Sequence, residues 1–276
     1  MIDAHHHLWV YSQEEYAWIP EGSPLTQDFL LLELEAATKA AGVEGTVAVQ
    51  ARQSLEESGW LLELADKSDA IKGVVGWAPL IEENVATSLA PFASQEKFKG
   101  VRHVLQGEPD EYFLRDDFHR GLSLLPGLDL SYDLLLVQRQ LPVATQLVDR
   151  QPNLPIIVDH IAKPEIQPGR VEPEWTSQMR ELARRDNIIG VKFSGVVTEF
   201  PDDTPIDPDT IHAYFEESLN IFGSDRLMFG TDWPVCLLRI DDYRNWADTV
   251  RSLASPLSED EQSQILTTNC QNVYHL

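Results

Sequence analysis

The sequence predicts an α/β chain closed into a (β/α)8 barrel, and three observations predict it. Short apolar, β-branched runs occur eight times. Their starts lie about 27 to 44 residues apart, the size of one strand-plus-helix unit. Stretches with helical apolar spacing fill the intervals. Eight such alternations in 276 residues favour a parallel sheet closed on itself. The rival is an open doubly wound sheet, which usually carries a glycine-rich first βα turn, and no GxGxxG motif occurs. One domain over residues 1–276 is expected.

The strands are predicted at Ile2–His7, Thr46–Gln50, Gly73–Trp77, Gly100–Val104, Leu128–Leu135, Pro155–His160, Ile189–Ser194 and Leu227–Asp232. The first helix is predicted over Phe29–Ala41, with Gly42 as its stop. Ser54 with Glu57 has the spacing of a capping box opening Leu55–Ser68, and Ser258 with Glu261 repeats it for a last helix running towards Asn272. Residues 200–208 are dense in proline and aspartate. They read as a loop, either plainly exposed or shaping the rim of a site.

Composition excludes several function classes. Against 45 acidic residues stand 21 basic ones, for a formal charge of −24. Phosphate binding needs a basic face, so no nucleic-acid partner is expected, and docking on an anionic membrane is equally disfavoured. The acid excess reads as a solvated surface that keeps the chain soluble. Cys236 and Cys270 form no CxxC pair or metal-type spacing, which fits a reducing cytoplasm. The first residues lack the basic start and apolar stretch of a signal peptide, and no apolar run reaches the roughly 18 residues of a membrane span.

In such a barrel the chemistry belongs at the C-terminal ends of the strands. The first strand ends with His5 and His7, two residues apart and so on one face, with His6 on the other. Two imidazoles facing one lumen can bind a divalent cation or share protons around a substrate. The sixth strand ends at His160 and the eighth at Asp232. Each alone reads as easily as a core histidine or a turn aspartate; converging on one barrel mouth, the set can hold a metal and a water, with Asp232 placed to take the water's proton. Arg102 on the fourth strand and Lys192 on the seventh are candidate cations for orienting a substrate or stabilising an oxyanion. Internal salt bridges are the alternative for both. Arg102 and His103 are adjacent, so only one can face inward within the strand. Gln50, Trp77, Tyr132 and Asp133 end other strands and are candidate pocket residues, and Arg52 is a possible third cation. No GxSxG, HExxH or Walker motif is present.

DAHHHLW (3–9), VVGW (74–77), KGVRH (99–103), DLLL and RQLP (133–142), VDHIAKP (158–164), VKFSG (191–195) and DRLMFGTDWPVC (225–236) together resemble the lactonase branch of the amidohydrolase superfamily. That branch includes L-fuconolactonases, L-rhamnonolactonases and pyrone-dicarboxylate lactonases. The resemblance implies a TIM barrel of amidohydrolase type and hydrolysis of a lactone by water attack on its carbonyl. It implies His5, His7, His160 and Asp232 as the central cluster, with Asp232 activating the water. It also implies that Arg102 and Lys192 hold the substrate's carbonyl or acid groups. From the residues themselves, His160 and Lys192 are further catalytic candidates, and His103, Gln50, Trp9, Trp77 and Trp233 are candidate substrate contacts, the tryptophans as apolar faces. Two-metal members of the wider superfamily carry a bridging lysine or glutamate on strand four and a histidine on strand five; here those strands carry Arg102-His103 and Tyr132-Asp133. The implied cofactor is therefore one divalent ion, zinc, on His5, His7, Asp232 and His160, with metal-independent acid–base catalysis as the alternative. The expected substrate is a small neutral sugar 1,4- or 1,5-lactone. The alternatives are a decarboxylase acting on an aromatic or muconate-type acid and a pyrone-dicarboxylate-type lactonase.

Overall fold

A computed structural model describes all residues from Met1 to Leu276. Eight strands form one parallel sheet whose spatial order is the sequence order: β1 (Ile2–His6), β2 (Gly45–Val49), β3 (Ile71–Gly76), β4 (Phe98–His103), β5 (Ser131–Leu134), β6 (Ile156–Val158), β7 (Ile188–Phe193) and β8 (Leu227–Phe229). The sheet curls until β8 meets β1, so the expected (β/α)8 barrel is the fold. The seam is closed by backbone bonds just beyond the ladders, from Asp232 N to His5 O (2.8 Å) and from His7 N to Trp233 O (2.6 Å). Asp3 clasps it from outside. Its carboxylate accepts from His5 N (3.0 Å), Thr231 N (2.9 Å), Thr231 Oγ1 (2.6 Å) and the Tyr243 hydroxyl (2.8 Å).

The helices are α1 (Leu31–Ala41), α2 (Leu55–Lys67), α3 (Val85–Ala93), α4 (Asp116–Leu122), α5 (Leu141–Asp149), α6 (Pro173–Leu182), α7 (Pro208–Phe222), α8 (Tyr243–Ala254), α9 (Glu259–Ser263) and α10 (Asn269–Tyr274). Gly42 ends α1 in the left-handed conformation, φ 66°, as expected of a glycine stop. Ser258 and Glu261 form the reciprocal capping box. Ser54 also caps its helix, accepting from Glu57 N at 3.1 Å, but the Glu57 carboxylate does not return the bond. It turns instead to Ala51 N (3.0 Å) and Arg52 N (2.7 Å), two donors left unpaired where β2 has ended. The expected last helix is broken by a π-helical turn, Gln264–Thr268, between α9 and α10. No helix is long and apolar enough to cross a membrane.

Two apolar layers result. A cluster of 64 buried residues lies between sheet and helices. A smaller one of nine fills the lower lumen, where Ile2, Ala4, Val47, Val49, Val75, Ile157 and Met228 meet Cys270 and Tyr274 of α10. The last helix thus plugs the barrel floor.

Candidate active site

A β-bulge sets the first two ligating side chains. Asp3 pairs with Thr46, but His6 pairs with Ala48, so β1 carries one extra residue in this interval. Ile2 and Ala4 face the lumen. Simple alternation would then send His5 outward; the extra residue turns His5 and His7 inward and leaves His6 outside. The Nε2 atoms of His5 and His7 stand 3.2 Å apart.

The strands bearing the other two residues end earlier than expected. β6 stops at Val158 and β8 at Phe229, and the chain turns into the left-handed region a few residues on. His160, Ile161, Ala162 and Lys163 have φ of 51°, 45°, 60° and 45°, and Asp232 has φ 58°. Each costs a non-glycine residue about 1–2 kcal/mol, so the surroundings must over-determine them. They do: Trp175 Nε1 donates to Ile161 O (2.8 Å), Lys163 N to His160 O (2.9 Å), and Ser194 Oγ lies 2.8 Å from His160 Nδ1. Gly195 leaves room for this turn. A Cβ there would stand 2.7 Å from His160 Nδ1 and 3.3 Å from Asp232 Oδ2.

These turns bring the four predicted residues together. Asp232 Oδ1 lies 3.3 Å from His7 Nε2 and 3.8 Å from both His5 Nε2 and His160 Nε2. Donors on a tetrahedral zinc, with bonds of about 2.0–2.1 Å, are about 3.3 Å apart, so His5, His7 and Asp232 fit such an ion. The His7 tautomer agrees. His7 Nδ1 is 2.8 Å from Val49 O, which places its proton there and leaves the Nε2 lone pair towards Asp232. His5 Nδ1 sits between the Asp159 carboxylate (Oδ1, 3.3 Å) and the Lys192 ammonium (3.1 Å), which fix the ring from behind. His5, Asp159 and His160 form a second possible group, but Asp159 is already engaged by two cations.

Burial lowers the pKa of His5, and that of His160 to about 4, so both rings are neutral near pH 7. Burial alone would raise Asp232; the charge the surrounding histidines take up at low pH, His160 foremost, outweighs it and holds the carboxyl well below its usual range. Near pH 7 an ionised carboxylate thus faces the neutral rings of His5 and His160.

Lys192 is a correction. Expected to touch the substrate, it is wholly buried one layer below. Its Nζ lies 2.9 Å from Asp159 Oδ1, 2.5 Å from Asp133 Oδ2 and 3.1 Å from His5 Nδ1. The internal ion pair, the alternative weighed for it, is what forms. Asp159 is the residue that the sequence reading passed over, although it stands beside His160 in VDHIAKP. Arg102 does face the site. Its Nη1 reaches Asp159 Oδ2 (3.1 Å) and His5 Nε2 (3.3 Å), and its Nη2 reaches Gln50 O and Gln50 Oε1 (3.1 Å).

A cavity of about 290 Å³ opens above the cluster, lined by His7, Arg102, His160 and Asp232 together with Trp18, Gln106, Lys163 and apolar neighbours. Two larger grooves, one of about 410 Å³ at the opposite barrel face beside Tyr274 and one of about 440 Å³ along the rim by Lys163, hold none of His7, Arg102, His160 and Asp232. Several expected pocket residues do not line the 290 Å³ cavity. His103 points outward by strand alternation and stacks on Tyr112, its Nε2 on Glu108 (2.9 Å), with Trp77 Nε1 at 3.4 Å from its Nδ1. Trp9 is buried against Phe29 with its indole N–H on Gln27 O (2.9 Å), and Trp233 packs between Phe29 and Tyr243. Gln50 grips Arg102 from behind. Tyr132 packs outward on Phe118, and Asp133 faces inward below the site. Arg52 pairs with Glu15. In the 200–208 segment, Phe200, Pro201 and Thr204 offer carbonyls to Arg239 and none lines this cavity. The aromatic face at the mouth belongs instead to Trp18, 49% exposed and edge-on to Trp9. Lys163, unassigned by the sequence reading, sits across the rim between Gln106 Oε1 (3.2 Å) and Glu199 Oε1 (3.3 Å).

Residues 2–276 match the family described as amidohydrolase. The chain is 36% identical over 275 residues to an L-fucono-1,5-lactonase of Burkholderia multivorans, covering 96% of this chain and 92% of that one. It is 34% identical over 252 residues to an L-fucono-1,5-lactonase of Burkholderia ambifaria, covering 89% and 84%. It also superposes on the crystal structure of a Burkholderia multivorans amidohydrolase with bound zinc, at a TM-score of 0.94 and 35% identity over 100% of this chain and 99% of that one.

Proposed function

The chain belongs to the amidohydrolase family, and from that premise we propose that it is a lactonase opening small, neutral sugar lactones by water attack. The observation that carries this reading is Asp232, an ionised carboxylate at the base of a small cavity whose lining holds no serine, threonine or cysteine. Water is then the nucleophile. Ser194 stands 2.8 Å from His160 Nδ1, but it is fully buried and orients the ring rather than attacking.

In the proposed reaction a water oxygen bonds to the lactone carbonyl carbon and its proton passes to Asp232. The tetrahedral intermediate collapses, the bond from carbon to ring oxygen breaks, and the ring oxygen takes a proton at the Asp232–His160 side of the cavity. The product is a hydroxy acid. His5, His7 and Asp232 would hold one divalent ion, zinc by ligand type, with His160 beside it; when bound it acidifies water and polarises a carbonyl. Asp232 stays ionised near neutral pH and so can accept the water's proton at its carboxylate. Arg102 borders the carbonyl position, Gln106 and Lys163 meet ring hydroxyls, and the Trp18 face covers the apolar side of the ring.

The cavity's two cations favour a neutral substrate. Arg102 is held by Asp159 and Gln50, and Lys163 by Glu199, so neither is free to take up a dicarboxylate or the carboxylate of a decarboxylase substrate. Cytoplasmic residence fits two buried, unbridged cysteines. The test is a panel of L- and D-sugar 1,4- and 1,5-lactones followed by acid release, with chelator and with zinc restored. Turnover of one or two members, lost with chelator, is expected. No turnover under any metal condition would sink the reading, and CO₂ release from an aromatic acid would replace it.

A further inference from the structure

A line of buried polar groups runs along the barrel axis from floor to site. The Tyr274 hydroxyl, on α10, donates to both oxygens of Asp133, at 3.0 and 2.8 Å. Asp133 Oδ2 takes the Lys192 ammonium at 2.5 Å. Lys192 lies 2.9 Å from Asp159 Oδ1 and 3.1 Å from His5 Nδ1. Asp159 ends the line between His5 Nδ1 (3.3 Å) and Arg102 Nη1 (3.1 Å). Asp133, Lys192, Asp159 and His5 have no solvent exposure, and Tyr274 has 1%.

The line holds two carboxylates and two cations, and no water-exposed group can replace a lost partner. Lys192 is shared: Asp133 pulls it towards the floor, Asp159 towards the site. The Tyr274 hydroxyl is the other donor to Asp133, so it moderates that pull. Without it, Asp133 draws Lys192 downward, and the Asp159–His5 contact above relaxes. Buried charges are sensitive to such single losses because the low-dielectric interior screens them little.

We propose that Tyr274 is a positioning residue for the active site, acting from the barrel floor through Asp133, Lys192 and Asp159 on the His5 ring. This rests on the reading of His5 as part of the site, given above. A packing role alone would be served by the ring, which lies among the apolar residues of the lower lumen and 5.5 Å from Lys192 Nζ.

Tyr274→Phe keeps the ring and removes the hydroxyl. The first readout is the ¹⁵N shifts of the His5 ring in metal-free protein, assigned with His5→Gln. They are expected to move while those of His103, His119 and His212 stay in place. The second is lactone kinetics. kcat is expected to fall about tenfold, the low end for residues behind a site's ligands, with KM unchanged. Asp133→Asn should shift His5 too, and adding Tyr274→Phe to it should change His5 no further, since both act on one link. Unmoved His5 shifts in folded Tyr274→Phe protein, whatever its melting temperature, would overturn the proposal. Moved shifts in a parent that opens no lactone would uphold it and defeat the lactonase reading alone.

Discussion

Lys192 Nζ and Asp159 Oδ1 stand 2.9 Å apart, both shut off from solvent, in the layer beneath Asp232. The lysine is therefore part of the foundation of the site rather than its reacting surface. Asp159 also carries Arg102 at 3.1 Å. Asp159→Asn leaves two buried cations short of a partner, and a broken buried pair costs about 3–5 kcal/mol. Urea unfolding should show a loss of that order together with loss of turnover. A stability change below about 1 kcal/mol would mean that the pair is not holding the barrel interior.

Asp232→Asn addresses the chemistry instead. The amide keeps the shape and its contact with His7 but cannot take a proton. kcat should fall by about 10²–10⁴, the range of a lost general base, with the fold intact by circular dichroism. Activity within a few-fold of the parent would remove Asp232 from that role.

Barrel strands were legible because buried parallel strands are continuous apolar runs, and β2 to β8 lie within a few residues of their expected starts. The cluster of His5, His7, His160 and Asp232 was legible because each polar residue follows such a run. What could not be read was backbone geometry without a sequence mark. The bulge between Asp3 and His6 contains no glycine, and the left-handed turn at 160–163 is built from His, Ile, Ala and Lys. Lys192 was misplaced because strand alternation gives the face of a side chain but not its depth in the lumen. Trp18 lies on a long loop without periodicity, so only the folded chain puts it over the cavity.

Trp18→Ala tests that placement. The ring is half exposed, and its removal should alter stability by no more than about 0.5 kcal/mol. KM for the preferred lactone should rise several-fold with kcat nearly unchanged, since the ring binds substrate without touching the reacting atoms. An unchanged KM would show that the substrate does not lean on this face.

Glu57 supports the cavity wall from behind and makes it pH-sensitive. Its Oε2 accepts from Ala51 N and Arg52 N, and Ala51 lines the cavity. Its Oε1 is buried without a hydrogen-bond partner. Burial pushes its pKa from 4.5 up to about 7. The folded chain therefore keeps a proton that the unfolded chain has released between those values. The stability so gained is full below pH 4.5 and is lost as pH rises through 7. The whole effect is about 3 kcal/mol at roughly 1.36 kcal/mol per pH unit. Glu57→Gln imitates the protonated carboxyl and should remove this dependence. In paired urea titrations the parent should lose about 2–3 kcal/mol relative to the variant between pH 5 and 8, other charges being common to both. Parallel pH curves would mean that Glu57 stays ionised, with the unpaired Oε1 satisfied by water.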